Sequence, residues 1–148
     1  MTTTYKLIQL TNLDIGDVPA GGFMPLGRVT RRINAPYNSC STFVVTSTLA
    51  DSVILNDPGF YKITYSLTGA PSAVGTVTTG IVVNGTTVYS VSEYAADITG
   101  PLDITVPYVI RVSPNCAGAP DNVPVTVQIL NSGVALTGTS GNLIIEKI

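Results

Sequence analysis

Apolar and polar residues alternate with a period of two along most of this chain, and nowhere for long with the period of a helix. The longest run is Leu102 to Val112. Leu102, Ile104, Val106, Tyr108, Ile110 and Val112 share one face, and Asp103, Thr105, Pro107, Val109 and Arg111 share the other. Pro107 has no N–H for a ladder bond, so it predicts an edge, a bulge or a bend. Phe60 to Thr68 alternates likewise, with Tyr61, Ile63, Tyr65 and Leu67 inward and Lys62, Thr64 and Ser66 outward. Val123 to Leu130 sets Val123, Val125, Val127 and Ile129 against Pro124, Thr126 and Gln128.

Asn84-Gly85, between two β-rich runs, predicts a two-residue hairpin turn, because both residues tolerate positive φ. That turn sets Val83 opposite Thr86, Ile81 opposite Val88 and Gly80 opposite Tyr89, with the tyrosine ring over the glycine. Further turns are expected at Asn56 to Gly59, Ser113 to Asn122 and Gly138 to Asn142. The last strand, Leu143 to Ile148, is apolar on both faces near its start, which places it inside a sandwich or against another subunit. Glu93 to Asp97 has room for one helical turn before Gly100-Pro101. Thr11 to Gly27, with Pro19, Gly21, Gly22, Pro25 and Gly27, reads as an irregular loop passing into an edge strand.

Composition agrees with strands. Val, Thr, Ile and Ser dominate the 148 residues, and β-branched side chains fit a pleated surface. The length is that of one domain able to bury a sizeable core. Charged residues are only 11 % of the chain, well below the roughly 25 % of soluble domains, so other subunits are expected to cover part of its surface. A net charge of −2 gives no reason to expect nucleic acid or an anionic membrane as partner. Met1 to Leu10 lacks the basic and apolar regions of an export signal, and no apolar run approaches the ~18 residues of a membrane span.

Candidate chemistry is sparse. There is no histidine, which removes Ser-His and Cys-His nucleophile activation and most zinc sites. No motif joins two of the nine acidic residues in a cleft, so neither an enzyme nor a cofactor is expected. Asn12 to Asp17 lacks the spacing and closing glutamate of a calcium loop. Arg28, Arg31 and Arg32 form the only basic cluster, either a dock for an acidic partner surface or a charged edge that discourages aggregation. Asn84-Gly85-Thr86 fits a glycosylation sequon but is better explained as the hairpin turn. Cys40 and Cys116 both sit in turn-like contexts. They form a disulfide if their loops meet at one end of the sandwich, and otherwise stay as two thiols.

A short strand Ser52 to Leu55, a turn ending in Gly59, Tyr61-Lys-Ile-Thr-Tyr65, the Asn-Gly hairpin, a long strand, a loop and two final strands follow in order. This order resembles the trimeric jelly rolls of the tumour necrosis factor and complement-collagen type. It is most similar to the head domains of collagen-like spore-surface glycoproteins and to head-fibre or decoration proteins of tailed phages. The resemblance covers Ser52 to Ile148, and Thr11 to Pro36 matches nothing in that family. It implies an antiparallel jelly-roll β-sandwich, all-β, assembled as a homotrimer with one sheet facing the threefold axis. On that reading Phe60, Lys62, Tyr108, Ile110, Leu143 and Ile145 contribute to the trimer interface.

Two functions follow as expectations. The first is a structural virion protein, made in the bacterial cytoplasm and mounted on a capsid or other virion proteins. Residues 1–36, a strand and an irregular segment, would then be a possible anchor, and residues 37–148 the jelly-roll body of one compact domain. The second is an adhesin that binds bacterial surface carbohydrate through loop tips, with Tyr94 and Ser113 to Asn122 as candidates.

Overall fold

The structure is a computed structural model and describes residues 5–34, 42–45, 47, 49–114 and 123–148. Eleven strands make up the described fold: β1 Lys6–Val18, β2 Gly22–Phe23, β3 Arg28–Ile33, β4 Phe43–Val44, β5 Val53–Leu55, β6 Gly59–Pro71, β7 Gly75–Val83, β8 Thr86–Ala95, β9 Leu102–Val112, β10 Val125–Asn131 and β11 Leu136–Lys147. They form two sheets of antiparallel pairs, β3-β1-β11-β6-β9 and β4-β5-β10-β7-β8, and β2 extends the β5 side of β10. Every connection from β5 onward crosses between the sheets except the β7–β8 hairpin, and the architecture is an all-β, antiparallel jelly-roll sandwich.

The core lies where the alternation predicts it. Tyr61, Ile63, Tyr65 and Leu67 of β6 are buried with Ile104, Val106, Ile110 and Val112 of β9, facing Val125, Val127 and Ile129 of β10. Phe43 closes on Tyr61 edge-to-face, with ring centroids 5.9 Å apart. Tyr65 passes so close beneath β11 that a Cβ on Gly141 would lie 2.1 Å from its hydroxyl.

Three expectations change. Thr11 to Gly27 does lead into an edge strand, β3, but much of it is strand itself rather than loop. β1 runs for 13 residues between β3 and β11, and Ile8, Leu10, Val18, Met24 and Leu26 are core residues. Glu93 to Ala95 continue β8 and make no helical turn. In the hairpin, Asn84 and Gly85 do take positive φ, 49° and 83°, and Val83 pairs with Thr86. One residue of β8 then bulges between Ile81 and Val82, so Ile81 meets Tyr89 and Gly80 meets Ser90. Thr87, not a tyrosine ring, covers Gly80: its Cγ2 lies 3.1 Å from where a Cβ would be.

Candidate functional site

The outer face of the five-stranded sheet carries the side chains that alternation points away from the core. Register builds it in rows across the sheet. Ile33, Leu7, Glu146, Lys62 and Val109 form one row, and Arg31, Gln9, Ile144, Thr64 and Pro107 the next. Arg28, Thr11, Asn142, Ser66 and Thr105 form a third. Beyond the first row, the N–H of Ile148 donates to the carbonyl of Phe60, which pairs with Arg111.

The rows divide the face chemically. At one end Phe60, Val109 and Ile148 are 53 %, 48 % and 69 % exposed, beside half-buried Leu7 and Ile144. They make an apolar strip left partly in water and broken by Lys62 and Glu146, and exposed apolar surface of this kind marks an interaction site. At the other end amides and hydroxyls predominate, around an exposed Leu13. Gln9 Nε2 and Thr11 Oγ1 each donate to Asn142 Oδ1 at 2.9 Å, and Thr68 Oγ1 donates to Asp103 at 2.6 Å. A shallow hollow of about 210 Å³ opens there, lined by Thr11, Leu13, Ser66, Thr68, Ser140 and Asn142 among others.

The residues expected at an interface separate by face. Phe60 and Lys62 point outward and are exposed. Leu143 and Ile145 are fully buried in the protomer, paired with Tyr65 and Ile63, and Ile110 is nearly so. None of these three is available to a partner. Tyr108 is half-buried at the open edge of the sandwich, where it stacks on Tyr89 with centroids 4.8 Å apart and planes at 4°. The outward residues missed, Leu7, Val109, Ile144 and Ile148, are the intervening positions of strands already found. Their apolar character on a solvent face was the signal.

The arginines separate too. Arg28 and Arg31 lie exposed in outward rows of the edge strand β3. Arg32 pairs with Ile8 on the core side, and its Nη1 donates to the carbonyl of Phe43 at 3.2 Å, tying the two sheets together. Arg32 is thus held within the protomer, and Arg28 and Arg31 are the exposed members of the cluster. Cys40 and Cys116 lie outside the described residues, as does most of the loop from Ser113 to Asn122. Among the described residues no three Cys, Asp or Glu side chains converge as a metal site.

Next to the apolar strip, Asp57 in the β5–β6 turn gathers both chain ends. Lys6 of β1 and Lys147 of β11 approach it at 3.1 and 3.7 Å, and the buried Thr42 hydroxyl donates to it. The Tyr61 hydroxyl donates to its carbonyl at 2.7 Å. Partial burial alone pushes the Asp57 carboxyl up, but Thr42, Lys6 and Lys147 outweigh it and hold the group below its ordinary value. A carboxyl whose folded pKa is lowered stabilises the fold above its unfolded value of about 3.9, and that contribution is lost as pH falls through the folded value. Solvent screening at a site this exposed holds it to about 1 kcal/mol or less. Asp57→Asn is thus expected to melt below the wild type at pH 7 and together with it well below pH 4. A gap that persists unchanged in acid contradicts the charge assignment.

No protein-family model matches the chain, and no curated protein matches it. Solved structures do. It is similar to PRD1 vertex protein P5, with a TM-score of 0.63 and 15 % identity over 99 % of each chain. Murine APRIL at pH 8.0 superposes with a TM-score of 0.66 and 10 % identity, over 97 % of this chain and 99 % of that one. Eiger TNF from S. frugiperda gives 0.64 and 12 % identity, over 99 % and 94 %. At these identities the likeness concerns architecture, and it spans the N-terminal strands as well as the body. The chain has the jelly-roll sandwich of the tumour necrosis factor type.

Proposed function

We propose that this protein is a non-enzymatic structural component of a virus particle, a homotrimer built on the outer face of its five-stranded sheet. The observation that carries this reading is the apolar strip of exposed Phe60, Val109 and Ile148 and half-buried Leu7 and Ile144, set around Lys62 and Glu146 on that face. Leaving it in water costs free energy that burial against other copies recovers, at about 25 cal/mol per Å². The similarity to a vertex protein supports a place on the particle surface. A sequence without histidine, and an Asp57 carboxylate committed to Lys6, Lys147 and Thr42, support a role without chemistry. Within that role, a head decoration or head-fibre protein of a tailed phage agrees best with the order of elements from Ser52 to Ile148.

The test is immunogold labelling and quantitative mass spectrometry of particles purified from lysates of the native host. Surface label at a fixed copy number per particle is the expected result. Recovery solely in the soluble fraction sinks the proposal.

A further inference from the structure

We infer that opposite edges of the sandwich dock neighbouring copies by charge, Arg28 of one copy meeting Asp103 of the next, with Arg31 and Glu93 beside them. The inference rests on the self-association proposed above and specifies which edges meet and in what register.

Three of the seven cationic residues stand on one edge strand, β3. Of these, Arg28 and Arg31 are exposed, on the outward side of the sheet. At the opposite edge β8 and β9 run side by side, aligned by the Tyr89–Tyr108 stack. Four residues beyond Tyr89, Glu93 is exposed towards the end of β8 that approaches the start of β9, where Asp103 is exposed as well. Among the described residues the ion pairs are those of Asp57 with Lys6 and Lys147, and none of these four side chains belongs to one.

They cannot pair within one copy. Arg28 and Asp103 stand on opposite edges of a five-stranded sheet, and four strand spacings of about 4.8 Å put them roughly 19 Å apart. That is about twice the screening length at physiological salt. Between copies the situation reverses. Rotation about an axis running along the strands keeps every residue at its own height and brings the β3 edge of one copy to the β8/β9 edge of the next. Arg28 shares a row with Thr105, two residues or about 7 Å along β9 from Asp103, within reach of an arginine side chain, whereas Arg31 shares a row with Pro107, four residues from both Asp103 and the exposed Arg111. A contact between two different edges is heterologous, and repeated by rotation it closes a ring. The outward face, with its apolar strip, lies between the two edges, so the charged contact continues the surface already proposed for assembly.

The test is a charge swap read by sedimentation equilibrium, with thermal melts to confirm folding of these exposed-site variants. The pair Arg28→Glu/Arg31→Glu, and separately Glu93→Arg/Asp103→Arg, should each weaken assembly about tenfold or more. The fourfold swap on one chain should return it to within about threefold of the wild type. Mixing the two pair variants should restore less, because a three-membered ring always keeps one like-charged contact. Assembly indifferent to both pairs, or a fourfold variant no better than the weaker pair, overturns the edge pairing. A wild type that is monomeric throughout overturns the self-association reading itself, whereas a wild-type trimer insensitive to reversal overturns the edge pairing alone.

Discussion

Ile145→Glu should leave little folded protein, whereas Ile144→Glu, one residue away, should fold and lose self-association. Ile145 has no exposed surface and lies in register between Ile8 and Ile63, both equally buried. A carboxylate there has no partner. It either stays charged at a cost of several kcal/mol or takes up a proton at a similar cost in pKa. Domains of this size are stable by only about 5–15 kcal/mol, so that cost removes most of the margin. Ile144 lies between Gln9 and Thr64 on the outward face and is half-buried. Its replacement should cost the protomer about 1 kcal/mol or less, yet it sets one negative charge per copy into the proposed contact. Circular dichroism melts and sedimentation on both variants decide the matter. Equal loss of folding in the two contradicts the facing of β11, and an Ile144→Glu protein that assembles like the wild type contradicts the interface.

Gly133→Ala should be strongly destabilising for so small a change. The turn between β10 and β11 is laid directly on β7. Ser132 N–H donates to Thr78 O at 3.0 Å and Val134 N–H to Thr76 O at 2.9 Å. Buried Asn131 shapes the turn from inside, its Nδ2 donating to Val134 O at 3.1 Å and its Oδ1 accepting from Gly133 N–H at 3.3 Å. A Cβ on Gly133 would stand 2.3 Å from Thr76 O and 2.6 Å from Thr78 N. Both atoms are backbone of a strand held on each side by β10 and β8, so they cannot step aside. The turn must lift, and it gives up its two backbone hydrogen bonds to β7 and the Asn131 bonds that shape it. A loss of about 3 kcal/mol follows, or about 10 °C in melting temperature. Gly100→Ala is the control, because its Cβ would meet nothing within 4 Å. Equal melting of the two variants refutes the close-approach argument.

The sequence is most legible where one face of a strand is buried and the other is wet. β6, β9 and β10 satisfy that condition, and their inward residues follow directly from alternation. The Asn84-Gly85 turn was equally legible, since its backbone requirement is local. β11 was not. With Leu143, Ile144 and Ile145 all apolar, period two carries no information about which face is which, and pairing with Tyr65 and Ile63 decides it. β8, an edge strand exposed on both sides, has no pattern of its own and is legible only through the Asn84-Gly85 turn. The bulge opposite Ile81 and Val82 reflects the twist of the hairpin rather than a turn residue, and it redirects Tyr89 from Gly80 to Tyr108. β1 was obscured by its Asn, Asp and Gly residues, which occupy the register shifts between Asn12 and Val18 rather than a loop. The candidate site was legible as strands but not as faces, so half of its residues fell on the wrong side.

The central claim, that the outward face of the five-stranded sheet is buried between copies, is tested most directly by the mass of the full chain in solution. Sedimentation equilibrium across a wide concentration range should give a particle of three 15.4 kDa chains. A mass of one chain at every concentration would contradict the claim.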